Sequence, residues 1–234
     1  FRIDVHEATI SASVGIALYP DDGAGFDELL KKADIAMYHA KEGGRNAFRF
    51  YAERMNHDAQ ARLDLHARLR RALDGAEFVL HYQPLVDLRS GAMRGVEALL
   101  RWQHPQRGLV SPLDFIPVLE SMGLIHAVGQ WVLEEACAQM CRWREAGLPL
   151  LQVSVNVSPL QFSRQLEFVE AVRVALARSG LPPDRLQLEL TESTLMTDSG
   201  QSQRMLEELR RDGVELAIDD FGTGYSSLSY LSEM

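Results

Sequence analysis

The sequence predicts an α/β protein in which a parallel sheet is covered by helices, preceded by a shorter α/β segment. Three observations carry this reading. Strand-like stretches alternate with helical-period stretches after residue 93, glycines close the helical stretches, and the rhythm changes at Phe78. With 234 residues, 46% hydrophobic and 24% charged, the composition is that of a soluble globular protein with room for one large domain or two smaller ones.

The first segment sets Ala8, Ile10, Ala12, Val14, Ile16 and Leu18 against Thr9, Ser11, Ser13 and Gly15, the period of a half-buried strand. Pro20-Asp21-Asp22-Gly23 then turns the chain. Phe26, Leu29, Leu30, Ala33, Ala36, Met37 and Ala40 recur at helical spacing until Gly43-Gly44, and Ala47 to Tyr51 reads as a second strand. So short a piece supplies little core of its own, so residues 1–51 are expected to be the back half of a domain. Residues 52–75 read as a charged connector helix with apolar positions at Met55, Ala59, Leu63, Leu69 and Leu73, and residues 76–234 form the second domain.

In that second domain, strands are expected around 79–87, 93–100, 152–157, 186–190 and 214–219. Ser111-Pro112-Leu113-Asp114 and Ser158-Pro159-Leu160-Gln161 each offer a hydroxyl N-cap, a proline at the first helical position and an acceptor at the third, the pattern of a capping box. Gly147, Gly180 and Gly213 suit left-handed helix ends. Three βα units in a row define either a barrel or an open doubly wound sheet.

The net charge of −9 repels long nucleic acids, so no polymeric nucleic acid is expected as partner. Arg68, Arg70 and Arg71 read as a solvated helix face. Cys137 and Cys141, four apart on a helical pattern, lack zinc-site spacing and read as reduced core thiols of a cytoplasmic protein. Neither a membrane span nor an export signal is expected in the chain. It starts at Phe1 and both ends fall inside patterned sequence, so a longer parent is expected, one that an upstream domain can anchor to a membrane.

The chemistry follows from strand parity. Val153, Val155 and Val157 oppose Ser154 and Asn156; Leu186, Leu188 and Leu190 oppose Gln187 and Glu189; Val214, Leu216 and Ile218 oppose Glu215, Ala217 and Asp219; Val96 and Ala98 oppose Glu97. Four strands thus set an acid or amide on the face away from the helices, near the carboxyl end where barrel enzymes gather catalytic groups. A single Glu or Asn there is more often a cap or a turn group, but four of one parity are harder to dismiss. Buried bare charges repel unless a cation sits between them, and an all-oxygen donor set fits Mg²⁺ or Mn²⁺ better than Zn²⁺. Asp220 points to the opposite side and can hold a second metal roughly 4 Å away, as two-metal phosphodiester chemistry requires. Asp219-Asp220-Phe221-Gly222-Thr223-Gly224 reads equally well as a plain turn. Glu192, three residues past Glu189, can cap the next element or anchor that loop.

Tyr82-Gln83-Pro84, Glu97-Ala98-Leu99-Leu100-Arg101-Trp102, Val155-Asn156-Val157-Ser158-Pro159, Glu189-Leu190-Thr191-Glu192-Ser193 and the stretch from Asp219 to Leu228 resemble, in order, the motifs of the EAL family of cyclic-di-GMP phosphodiesterases. The resemblance implies a TIM-like (β/α) barrel with an antiparallel first strand and hydrolysis of cyclic-di-GMP to linear pGpG by a two-metal Mg²⁺ or Mn²⁺ site. It implies metal ligation by Glu97, Asn156, Glu189, Asp219 and Asp220, loop anchoring by Glu192, and substrate contacts from Gln83 and Arg101. A homodimer through this domain in the parent is a further implication.

Ser13-Val14-Gly15-Ile16-Ala17, Ala33-Asp34-Ile35-Ala36-Met37-Tyr38 and Ala40-Lys41 with Gly44-Arg45-Asn46 resemble the carboxyl-terminal half of a GGDEF domain, in which the Lys41 and Arg45 positions contact nucleotide phosphates. GTP at this remnant in the parent is the matching ligand. The signature of that family is absent, so no cyclase activity is expected from the chain. The fold class expected is therefore an incomplete EAL-type barrel preceded by the C-terminal piece of an α/β GGDEF domain. The chain stops at Met234, before the Lys, general-base Glu and other late residues of the EAL pattern, so this polypeptide by itself is expected to be inactive. Two other readings compete: a non-catalytic cyclic-di-GMP receptor, and an unrelated barrel hydrolase of phosphate esters.

Overall fold

A computed structural model describes residues 2–3, 6–7, 11–42, 46–191 and 199–219. The chain divides into two compact units, Phe1–Arg68 and Leu69–Met234.

In the first unit β1 (Arg2–Ile3) pairs antiparallel with β2 (His6–Glu7), and β3 (Val14–Ile16) pairs parallel with β4 (Phe48–Phe50) across helix α1 (Phe26–Glu42). The strand expected over 8–18 is thus limited, among the described residues, to the three that find a partner in β4. Helix α1 lies directly on β3. A Cβ built on Gly15 meets the Ala33 carbonyl oxygen at 1.9 Å and the Met37 nitrogen at 2.2 Å, both backbone atoms that cannot swing aside. Gly15→Ala is accordingly expected to weaken the docking of α1 by about 1–3 kcal/mol, read as faster hydrogen exchange of the α1 amides; unchanged exchange would contradict this packing. Helix α2 (Arg54–Asp74) covers most of the expected 52–75 helical stretch, and the division between the units falls within it, after Arg68; Leu69 and Ala72 are buried and Arg70 and Arg71 exposed.

In the second unit β5 (Phe78–Val86) and β6 (Met93–His104) form an antiparallel hairpin. Its turn is tied by the Asp87 carboxylate, which accepts from the Arg89 and Ser90 amides and the Ser90 hydroxyl and is held below the usual carboxylate range by those bonds. There follow β7 (Gly108–Val110), α3 (Pro112–Ser121), α4 (Ile125–Glu145), β8 (Gln152–Val157), α5 (Pro159–Ser163), α6 (Gln165–Ser179), β9 (Leu186–Thr191), α7 (Ser199–Arg211) and β10 (Glu215–Asp219). The sheet order is β10-β9-β8-β6-β5, parallel except for β5, with β7 paired to the far end of β6. The antiparallel first strand agrees with expectation. β6 runs on to His104 because Trp102–His104 pair with β7, a strand the sequence reading lacked.

The helix ends differ from expectation in one place. Ser158 forms the full capping box with Gln161. Ser111 occupies the N-cap position without any side-chain cap bond, and the Asp114 amide donates instead to the Ser111 carbonyl at 3.0 Å. Gly147, Gly180 and Gly213 have φ of +86°, +70° and +90°, the left-handed geometry expected of them.

The core follows the parity argument except in β10, at the end of the strand order, where Leu216 and Ile218 are only half-buried. Val96, Ala98, Val153, Val155, Val157, Leu186, Leu188, Leu190 and Val214 are all buried, as are Val128, Leu133 and Met140 of α4, Phe168 and Val172 of α6, and Met205 and Leu209 of α7. Cys137 and Cys141 are buried free thiols, and burial pushes the Cys137 thiol up to about 12. Among the described residues no helix is long and apolar enough to cross a membrane.

Candidate active site at the strand ends

Hydrogen-bonded register fixes which polar side chains become neighbours. On the face away from the helices Gln83 lies opposite Glu97, Glu97 opposite Ser154, Ser154 opposite Gln187, and Gln187 opposite Glu215. One tier higher Asn156 is opposite Glu189, and above that Thr191 is opposite Asp219. Hydrogen bonds run both within and between these tiers. Asn156 Nδ2 donates to Glu97 Oε1 at 2.7 Å, Ser154 Oγ donates to Gln187 Oε1 at 2.8 Å, and Gln152 Nε2 donates to Glu215 Oε2 at 2.6 Å.

Asn156, Glu189 and Asp219 lie at or within two residues of the last residue of their strands. Glu97 does not: β6 continues to His104. It joins the others because β6 pairs in parallel with β8 only from Gly95 to Ala98, so Glu97 is near the top of the parallel-paired stretch although it sits mid-strand.

Glu97 and Glu189 are half-buried, while Asn156 and Asp219 are exposed. The Glu189 carboxyl is raised above its ordinary value, first by burial and then by the Glu97 and Asp219 carboxylates, against a hydrogen bond from Ser154 that acts the other way. Glu189 therefore senses carboxylates from two other strands, an electrostatic conflict of the kind a cation relieves. Among the described residues, however, no three His, Cys, Asp or Glu side chains close into a group able to enclose an ion. The close pair is Asn156 with Glu97. The donor chemistry, all carboxylate and amide oxygen, fits a hard divalent cation.

Gln83 is exposed beside Glu97. Arg101 is half-buried four residues farther along β6, roughly 13 Å away at strand rise, with Nη1 donating to the Leu100 carbonyl at 2.9 Å. Lys41 is exposed near the end of α1 in the first unit. Asp220, Glu192 and Arg45 lie outside the described residues. A cavity of about 210 Å³ among the described residues lies elsewhere, lined by His126 and Gln130 of α4, by Gln161 and Arg164, and by Glu167 and Phe168 of α6, and no candidate residue borders it. Two residues next to the acids, Ser154 and Gln187, had no part in the sequence-based site. Their signal was available, since they share strand parity with Asn156 and Glu189.

A parallel sheet opened by one antiparallel strand, with oxygen donors tiered on one face at the strand ends, defines a (β/α) protein of the class that works at the carboxyl end of its strands. The chain belongs to the EAL domain family, whose sequence pattern matches residues 66–234. Residues 1–47 match the diguanylate cyclase, GGDEF domain.

The chain is 52% identical over 234 residues to the bifunctional diguanylate cyclase/cyclic di-GMP phosphodiesterase MucR of Pseudomonas aeruginosa, covering 100% of this chain and 34% of that protein. It is 41% identical to the cyclic di-GMP phosphodiesterase PdeR of Escherichia coli, covering 99% of this chain and 35% of that protein. The chain thus spans about a third of the length of these curated relatives. Among solved structures, the PaMucR phosphodiesterase in its c-di-GMP complex superposes with a TM-score of 0.70 at 51% identity, covering 73% of this chain and 69% of that one. The Xanthomonas citri FimX EAL domain in complex with c-diGMP gives a TM-score of 0.67 at 27% identity, covering 76% and 69%. The fold is therefore the α/β, TIM-like barrel fold of EAL domains.

Proposed function

We propose that the protein carrying this chain hydrolyses cyclic-di-GMP to linear pGpG with two Mg²⁺ or Mn²⁺ ions. The observation that carries the reading is the Asn156 to Glu97 hydrogen bond, 59 residues apart in sequence, beside a Glu189 raised first by burial and then by two other carboxylates on a strand-end face. Family membership and relatives named as phosphodiesterases support it. Glu97, Asn156, Glu189 and Asp219 would hold the first ion and Asp220 the second, with Glu192 anchoring the loop of residues 219–224. Bound there, the ions supply acidification of a water and neutralisation of charge on the phosphate and its leaving oxygen. Gln83, next to Glu97 in register, and Arg101, farther up β6, would orient the dinucleotide across the mouth. The reading extends to a cytoplasmic location, a homodimer through this domain, and phosphate contacts from Lys41 and Arg45 to GTP in the first unit.

A second reading, a non-catalytic cyclic-di-GMP receptor, is favoured by one observation: the described carboxylates do not close around an ion. One experiment separates the two. Full-length protein is incubated with cyclic-di-GMP and Mg²⁺ and pGpG is followed by chromatography; product is expected, with excess EDTA lowering the rate about a hundredfold or more. Tight binding without Mg²⁺-dependent product would sink the enzyme and leave the receptor.

A further inference from the structure

The cavity of about 210 Å³ between α4 and α6 has no role in the scheme above. Its polar wall is built around Gln161, which is only 6% exposed. The Gln161 Oε1 accepts from the Ser158 amide at 3.2 Å. A backbone N–H can only donate, so this bond fixes which way the side-chain amide faces. Nε2 is left with two protons and no acceptor among the described residues; the core does not seal it in, and the space it faces is the cavity. It lies against α4 at Gly129, where there is no room for a Cβ, and His126 and Leu133, one turn before and after that glycine, line the cavity. A buried amide with unused donors at a cavity wall is a group that lacks its partner.

The other walls define what would satisfy it. Helix α6 starts at Gln165 with Arg164 at its N-cap position and no side-chain cap bond, so the positive end of a 15-residue helix meets the same rim. Arg164 pairs with Glu167 at 3.3 Å, but the two side chains are 55% and 71% exposed, and so loose a pair yields readily to a competing anion. His126 is held below its ordinary value by burial first and then by Arg164, against Glu167, so it is neutral at pH 7 and Arg164 is the cation of the wall. Leu133 and Phe168, both buried, give the cavity an apolar side. An apolar cavity of about 150 Å³ takes benzene, so this one has room for a six-membered ring and a carboxylate. We propose that the cavity between α4 and α6 is a binding site for a small carboxylate carrying an apolar ring, with Gln161 Nε2 and Arg164 on the carboxylate and Leu133 and Phe168 against the ring.

The test is ligand-observed fluorine NMR on the full-length protein with 4-fluorobenzoate. Two comparisons separate the parts of the ligand: 4-fluorobenzyl alcohol has the ring without the charge, and inorganic phosphate, added as a displacer, has the charge without the ring. The benzoate is expected to bind with a Kd on the order of 1 mM, as suits so few atoms, and both comparison molecules at least about tenfold more weakly. Gln161→Glu keeps an acceptor for the Ser158 amide but replaces the donors, and Ala171→Met fills the cavity; each should weaken the benzoate about tenfold or more. Glu167→Gln removes the competing carboxylate and should tighten binding about threefold, a gain that misfolding cannot produce, so it decides the matter if the other two variants do not fold. No binding by the wild type at about ten times that Kd, or binding that none of the three variants changes, overturns the site. An alcohol that binds as well as the benzoate shows an apolar hole alone, and phosphate that displaces the benzoate at equal concentration shows a surface anion patch alone; either result overturns the proposed ligand class.

Discussion

Replacing Glu189 with Gln is expected to raise the thermal stability of the metal-free protein at neutral pH while lowering cyclic-di-GMP hydrolysis roughly a thousandfold. Burial first, then the Glu97 and Asp219 carboxylates, raise the Glu189 carboxyl above its ordinary value of 4.5. The folded protein thus holds this proton more tightly than the unfolded chain does. Its contribution to stability is fully present below 4.5 and is lost as pH rises through the higher folded value. At pH 7 the ionised acid opposes folding, and Gln removes the charge while keeping the shape. Melting curves in EDTA, taken upward from pH 4.5, should show a gap between variant and wild type that opens with pH and then levels. A gap independent of pH would mean that the carboxylate is not under strain. Saturating Mn²⁺ should reverse the order, since an ion that binds only the native wild type stabilises it by mass action. Charge gathered for function at the expense of the empty fold is a familiar trade.

What was legible in the sequence was whatever had a period. Val153, Val155 and Val157 against Ser154 and Asn156 give strand β8 and its two faces directly, and every valine is buried. The Tyr82-Gln83 pair shows parity separating packing from chemistry within one motif. Tyr82 turns to the helices, its ring 4.8 Å from that of Trp143, and Gln83 lies beside Glu97. Three things lacked a local signal. β7 is three residues long, too short to show alternation. The two Ser-Pro-Leu motifs carry similar donors, yet only Ser158 completes its box; there the Ser158 hydroxyl donates to Glu120 at 2.7 Å, and Gln161 lies where Gly129 of α4 leaves room. Tertiary neighbours made that choice. Glu97 reaches the site from mid-strand because β8 stops pairing at Ala98, a fact of register between residues about sixty apart.

The same register predicts that Trp102→Ala will cost about 3–5 kcal/mol and will divide the site in two. Trp102 is fully buried, with ring centroids 5.9 Å from Phe115, 6.4 Å from Phe78 and 4.9 Å from His104, and its Nε1 donates to Glu77 at 2.9 Å. Above Ala98, β6 has no parallel partner among the described residues and is held by β5, by β7 and by this aromatic cluster. Arg101 projects from that upper stretch, on the face opposite Trp102, whereas Glu97 sits below it with β8 alongside. Loss of the indole should therefore quicken hydrogen exchange of the upper β6 amides and, on the proposed role of Arg101, weaken cyclic-di-GMP binding, leaving Mn²⁺ affinity within about threefold because Glu97, Asn156 and Glu189 keep their pairing. Trp102→Phe, which retains most of the volume but gives up the bond to Glu77, should cost only about 1–2 kcal/mol. Equal losses of nucleotide and Mn²⁺ affinity in the alanine variant would show that the sheet yields as one body, and the upper strand could then not be treated as a separate support for the substrate.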